Sequence, residues 1–359
     1  MLLRKVVLND KLCKCLYRHG DRSPISSYPN DPYYDPSYWP NGYGQLLNKG
    51  IERQYELGQW FRDRYRAFLP EEYSPSEIKV ISTDVDRTLM SAAANLAGLY
   101  PPPASQVWND DLLWEPIPIH TKTRAEDEVL AMEKPCARHS KLEKDVDSSD
   151  FFKNITTAYA DFFDTVTNYT GRSTTTLGNI ENLNSVFYVY RNHNASYLPS
   201  WADDLDQHTL SYLAGVEFSK STFTDEMKRL KVGPFFDYLT SYFDDIVGNV
   251  SDTPKFVMLS AHDSTVSSVL NGMGAFDYWP PEFASTVFWE LRRSKNGTHY
   301  VNLLYKRNST NPVEELRVSD CDFNCDYNDF KEKLSPIIVG STTWESECII
   351  FLIEIVVLE

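Results

Sequence analysis

The chain has 359 residues, 42% of them apolar, enough for two ordinary domains or for one large domain with an insertion; this is the composition of a globular protein. With 51 Asp and Glu against 35 Lys and Arg its net charge is −16, which argues against nucleic acid or an anionic membrane surface as the main partner, because both need a basic footprint. Any anion bound by so acidic a chain must meet positive charge that is concentrated locally.

Residues 12–17 (Leu-Cys-Lys-Cys-Leu-Tyr) read as a short strand, with Cys13 and Cys15 on one face. Two thiols two residues apart make no complete metal site, so they are expected in the core. The strand runs into Tyr17-Arg18-His19-Gly20-Asp21-Arg22-Ser23-Pro24, where two arginines bracket a histidine beside a glycine expected to allow a tight turn. Two guanidinium forks grip a phosphate through paired hydrogen bonds, and an imidazole nitrogen held beside them can attack phosphorus. Five fixed residue types at this spacing arise by chance in a chain of this size on the order of once in ten thousand. The competing reading is a solubilising surface turn whose histidine is incidental.

From Tyr28 to Gly44 the chain is crowded with Tyr, Pro, Asn and Trp39, which predicts a long loop, either an aromatic rim over the cup or a loop packed on its own rings. A helix follows with Leu47, Ile51, Tyr55, Gly58, Phe61, Tyr65 and Phe68 on one face, ended by Pro70. Ile78–Ser82 reads as a second strand, followed by Thr-Asp-Val-Asp-Arg-Thr and a helix over Leu89–Leu99, with Arg87 at its head. The same grammar returns at Phe256–Ser260, with Ala261-His262-Asp263 in the turn and a helix starting near Ser264. In an open α/β sheet, ligands bind outside the carboxyl ends of parallel strands, so the three turns can converge on one pocket. Helix N-termini there add attraction for an anion.

Between about 125 and 250 helical periodicity dominates and strand signals are few, which predicts a mainly helical insertion or cap. Val287–Arg292 and Tyr300–Tyr305 around Asn296-Gly297 read as a hairpin. Six Cys and six N-x-[ST] sequons, at Asn154, Asn168, Asn194, Asn249, Asn296 and Asn308, point to a glycosylated protein of the secretory pathway, secreted or lysosomal. No signal peptide is evident over Met1–Asp10, where only Val6, Val7 and Leu8 stand between charges; the favoured explanation is a native N-terminus upstream of this sequence. Ile349–Leu358 is very apolar but holds Glu354 and falls short of the roughly 20 residues that cross a bilayer. It reads equally as a buried terminal strand, the stump of an anchor or a gene-model artefact.

The motifs at 17–24, 82–91 (Ser-Thr-Asp-Val-Asp-Arg-Thr-Leu-Met-Ser), 112–120 (Leu-Leu-Trp-Glu-Pro-Ile-Pro-Ile-His) and 260–266 (Ser-Ala-His-Asp-Ser-Thr-Val) together resemble the histidine acid phosphatases, of the phosphoglycerate-mutase-like superfamily, over nearly the whole chain. The resemblance implies an α/β fold: a mostly parallel central sheet flanked by helices, formed by 1–124 and 251–359, with a smaller helical cap at 125–250. It implies hydrolysis of phosphate monoesters through a phosphohistidine on His19. Arg18, Arg22, Arg87 and His262 would hold the phosphate, and Asp263 would donate a proton to the leaving alcohol. It further implies Cys136–Cys348 and Cys321–Cys325 disulfides and a homodimer contact near Trp114 and His120. Substrates would be small phosphate monoesters, with phosphoproteins as a further class. With no metal cluster, dinucleotide fingerprint or P-loop in the sequence, neither a metal nor another cofactor is expected. His139, His193, His208 and His299 lie outside these turns and are expected on the surface. Two rivals remain: phosphomutase-type transfer to a second hydroxyl, and a secreted, non-catalytic phosphate-binding or antigenic homologue.

Overall fold

The computed structural model describes residues 10–349, so the readings of the run before Asp10 and of the apolar segment after Ile349 lie outside the described residues. Seven strands form one sheet: β1 (Asp10–Arg18), β2 (Ile78–Ser82), β3 (Phe256–Ala261), β4 (Thr286–Arg293), β5 (His299–Lys306), β6 (Glu314–Leu316) and β7 (Cys325–Asp326). Their order is β2-β3-β1-β4-β5-β6, with β7 also on β5. Only β2, β3 and β1 are mutually parallel; β4 to β7 pair antiparallel. The sheet is therefore mixed rather than mostly parallel. The physical reason is connection length: the turn around Gly297 (φ +92°) is too short for a crossover and can only return the chain antiparallel.

Helices α1 (Asn48–Arg64) and α2 (Asp86–Leu99) cover one face of the sheet. There Cys13, Cys15 and Tyr17 of β1 meet Leu57 and Phe61 of α1, and both thiols are buried in the core as expected, Cys13 Sγ donating to the Tyr65 hydroxyl at 3.2 Å. Ile51 and Tyr55, expected on the buried face of α1, are exposed instead. The seam that packs is Gly50, Gln54, Leu57, Gly58 and Phe61. A Cβ on Gly58 would run into the backbone of Asn95, and one on Gly98 into that of Tyr55, so the two helices approach too closely for large side chains between them.

The helices of the 125–250 stretch are α3 (Ala137–Val146), α4 (Asp150–Ala158), α5 (Ala160–Thr170), α6 (Leu177–His193), α7 (Gln207–Ser219) and α8 (Asp225–Val247). Residues of α4 to α7 share a core that also takes in Tyr28 and Trp39. Trp39 stacks on Tyr190 and Tyr33 on Tyr197, so the aromatic loop packs on rings, including those of the helical layer. By contrast α8 lies on the other face of the sheet, with α9 (Asp263–Gly272) and α10 (Tyr327–Leu334); Phe235, Phe236 and Val266 bury Leu16, Leu259 and Trp289 there. Lys14 is also fully buried on this face, donating to Tyr238 O at 2.7 Å with Nζ 3.8 Å from the Tyr242 ring centroid. His139 departs from its surface expectation: it is buried, with Nε2 2.7 Å from Ser221 O. Helix α3 points it inward against the chain that follows α7.

Helix α11 (Ser341–Glu347) precedes Cys348, which is bonded to Cys136; Cys321 is bonded to Cys325. The first bond spans 212 residues and the second only 4. Chain entropy assigns them roughly 5 and 2 kcal/mol of stabilisation. Calorimetry is thus expected to find a clearly larger fall in thermal midpoint for Cys136→Ser/Cys348→Ser than for Cys321→Ser/Cys325→Ser.

Candidate active site

The register of the three parallel strands places the three turns. Arg18 pairs with Ala261 and Ser82 with Ser260, so β1, β2 and β3 end level with one another. His19 N then donates to Ala261 O at 3.0 Å, which sets His19 beside His262, ring centroids 5.7 Å apart. Arg87 comes in on the first turn of α2, and its Nη2 lies 3.3 Å from His262 Nδ1. His19, Arg18, Arg22, Arg87, His262 and Asp263 are all brought together, although 175 residues separate Arg87 from His262.

Gly20 is needed for a reason different from a tight turn. Its φ is not positive, but a Cβ there would collide with Gly50 O, and one on Gly50 with Asp21 O. The start of α1 presses directly on the turn, and Gln54 Nε2 donates to Arg18 O at 2.9 Å. Asp21 is buried and paired with Arg53 at 2.5 Å, which holds the turn from the other side.

The hydrogen bonds assign the imidazole tautomers. His19 Nδ1 lies 2.8 Å from Gly20 O, and a carbonyl only accepts, so Nδ1 carries the proton and Nε2 keeps its lone pair. Burial, and then the charges of Arg87, Arg18 and Arg22, hold the pKa of His19 well below its ordinary value. For His262 the logic runs the other way round. Arg87 can only donate to Nδ1, so Nε2 carries the proton and donates to Thr83 Oγ1 at 3.0 Å, which in turn bonds Thr88 Oγ1 at 2.8 Å. Burial and Arg87 push His262 down to about 3. Burial would raise Asp263, but Arg18, whose Nη2 lies 2.7 Å from its Oδ2, and Arg22 outweigh that and hold it below the usual carboxylate range.

The arginines are not fully used by the protein. The Nε atoms of Arg18, Arg22 and Arg87 are buried and have no hydrogen-bond partner. Neither Arg22 nor Arg87 has a carboxylate within 4.0 Å among the described residues. Burial and Arg18 lower Arg22 to about 9, which leaves it charged at acid and neutral pH. Unpaired cationic donors around an uncharged imidazole fit an oxyanion.

A model of the histidine phosphatase superfamily (branch 2) matches residues 11–306. The chain belongs to that family. Lysosomal acid phosphatase of Xenopus laevis is 36% identical to it over 93% of this chain and 77% of that protein. Human prostatic acid phosphatase is 35% identical over 94% of this chain and 87% of that protein. Among solved structures, the apo Hafnia alvei phytase superposes with TM-score 0.71 at 14% identity, covering 97% of this chain and 100% of that one. The Citrobacter braakii phytase gives 0.66 at 16%, covering 95% and 99%. These two likenesses concern the fold.

In this histidine phosphatase several site residues carry no signal as loud as the arginine turn. Thr83 lies inside the 82–91 stretch but drew no role from the sequence. Ser185 and Tyr188 belong to α6: Ser185 Oγ accepts from Arg22 Nη2 at 3.1 Å, and the Tyr188 hydroxyl accepts from Phe283 N at 3.1 Å. Phe283 in turn lies under the Arg18 guanidinium at 4.3 Å and tilts against His19 at 5.9 Å, while Pro281 O accepts from Arg18 Nη1 at 2.6 Å.

Two outcomes are expected. Gly20→Ala forces α1 away from the turn and costs about 1–3 kcal/mol or more, with activity falling further than stability; equilibrium unfolding and initial rates measure both. Inorganic phosphate raises the thermal midpoint of the wild type, and Arg22→Gln and Arg87→Gln each reduce that shift. A phosphate-independent midpoint in the wild type would contradict an anion site here.

Proposed function

We propose that the chain hydrolyses phosphate monoesters with His19 as nucleophile. The observation that carries this is the tautomer of His19: its Nδ1–H is committed to Gly20 O, which leaves the Nε2 lone pair free among three arginines with unused donors. Nε2 attacks phosphorus, the P–O bond to the alcohol breaks, and the Asp263 carboxyl gives its proton to the departing oxygen. Water then attacks the phosphohistidine, its proton passes to the Asp263 carboxylate, and phosphate leaves. Charge on the transferring group is spread over its equatorial oxygens, so fixed positive charge and positioning supply most of the catalysis. Arg18, Arg22 and Arg87 provide it. His262, whose Nδ1 accepts from Arg87 in the resting site, donates to a phosphate oxygen after taking a proton there, which an arriving dianion favours. Among the described residues no cluster of His, Cys, Asp and Glu could hold a metal ion. The relatives' name, acid phosphatase, agrees with the sign of the shifts. A histidine held below its ordinary pKa remains an unprotonated nucleophile in acid, and a carboxyl held low by arginines must regain a proton as the substrate enters.

The remaining partner and location readings rest on surface features. Leu113 and Trp114 are exposed, at 69% and 37%, and His120 bridges to Ile81 beside β2 at the edge of the sheet, which supports a homodimer contact there. Five sequons are exposed; Asn308 is half-buried, and its carboxamide donates to Glu282 at 3.0 Å, a bond a glycan there would replace. Exposed sequons and two disulfides support the secretory pathway or lysosome. The division into an α/β body (1–124 and 251–359) and a helical cap (125–250) has support from the separate core of α4 to α7, with α8 as the part that packs on the sheet.

With a simple aryl phosphate, free phosphate release is expected to fall at least about a thousandfold in His19→Ala. Retention of most activity would overturn the nucleophile, and turnover without free phosphate would favour a mutase. Binding of phosphate with no hydrolysis between pH 4 and 7 would favour a non-catalytic homologue. Asp263→Asn is expected to cost much more for alkyl than for aryl phosphates, because only the poor leaving group needs the proton; kcat should also decline as pH rises above neutrality.

A further inference from the structure

Once the arginines fix the phosphate, whatever is attached to its leaving oxygen must occupy the cavity next to the Arg18–Asp263 pair. This cavity, of about 270 Å³, lies between α6 and the Trp279–Glu282 segment. Its wall on the cap side holds Glu181, one helical turn before the Ser185 that touches Arg22 and therefore on the same face of α6.

Five charged side chains line the cavity, and four are engaged. Arg18 and Asp263 pair with each other; Arg191 donates to Gln207; Glu282 accepts from Asn308 at 3.0 Å and Tyr188 at 3.4 Å. Glu181 is partly buried and has neither a hydrogen bond nor an ion pair among the described residues. An unengaged carboxyl in the wall of a leaving-group cavity interacts with whatever charge the substrate brings.

We propose that Glu181 is a specificity-determining residue that favours phosphate monoesters whose leaving alcohol carries a cationic group and disfavours those with an anionic one. The inference rests on the phosphatase reading above. The groups that bear on Glu181 are Asp263 on α9, Arg18 and Arg22 around the end of β1, and Glu217 on α7. Burial and the Asp263 charge raise Glu181 to about 7 against the pull of Arg22, so its negative charge is present above that pH and lost in acid. Selectivity should therefore be marked at pH 7.5 and weak at pH 5.

The test compares kcat/KM for phosphocholine (cationic), glycerol 2-phosphate (neutral) and 3-phosphoglycerate (anionic) in the wild type and Glu181→Gln. At pH 7.5 the variant should lower the phosphocholine to glycerol 2-phosphate ratio, and raise the 3-phosphoglycerate to glycerol 2-phosphate ratio, each about tenfold. At pH 5 both ratios should approach those of the wild type. Equal scaling of all three substrates, or unchanged ratios at pH 7.5, would overturn the role of Glu181 while leaving the phosphatase reading intact. Failure of the wild type to turn over glycerol 2-phosphate would remove both.

Discussion

Three guanidinium groups crowd one buried pocket in which, among the described residues, Asp263 alone is a carboxylate close enough to pair, and their mutual repulsion is the constraint that the surrounding structure exists to hold. Like charges a few ångströms apart cost on the order of 2–4 kcal/mol at an effective dielectric near 20. Such a cluster persists only where the backbone over-determines it and where each arginine is partly satisfied. Arg18 is tied to Pro281 O and Asp263, Arg22 to Ser23 O and Ser185, and Arg87 to His262. Burial, reinforced by the charges of Arg87, Arg18 and Arg22, holds the pKa of His19 low, so the field suited to an anion also helps preserve the imidazole lone pair.

The scaffold supplies rigidity from both sides. Parallel pairing of β1 with β3 and of β3 with β2 locks three turns into register, and the backbone bond from His19 to Ala261 fixes His19 to the strand that leads into His262 and Asp263. From behind, α1 presses on Gly20 so closely that no side chain fits, and the pairing of Arg53 with the buried Asp21 keeps the turn from relaxing. A short polar chain, His262 to Thr83 to Thr88, sets the second imidazole so that it receives Arg87 instead of competing with it.

The helical layer closes the remaining side. Its helix α6 brings Ser185 to Arg22 and Tyr188 to Phe283, whose ring lies beneath Arg18, so this layer helps orient two of the arginines and walls the adjacent cavity. The arginine pocket and the cavity beside it thus draw on both parts of the chain: Ser185 touches Arg22, and Arg18, Asp263 and the Trp279–Glu282 segment line the cavity together with Glu181.

What the sequence by itself determined was local. Strand, charged turn and helix succeed one another within about twenty residues at Arg87 and His262, and at His19 the strand runs straight into its charged turn; periodicity, turn chemistry and helix starts are short-range properties that a linear reading detects. The hairpin at Gly297 and the core thiols of β1 were legible for the same reason. The tertiary structure alone decided what depends on contacts across the chain. Gly20 serves a helix that begins 28 residues later, Ile51 and Tyr55 face solvent because two backbones meet at Gly58 and Gly98, and His139 turns inward onto Ser221. Ser185, Tyr188, Phe283 and Glu181 come to the site from 163 or more residues along the chain or from an otherwise ordinary amphipathic helix. No spacing rule marks such residues, because their roles are set by packing between elements whose separation in sequence carries no periodic signal.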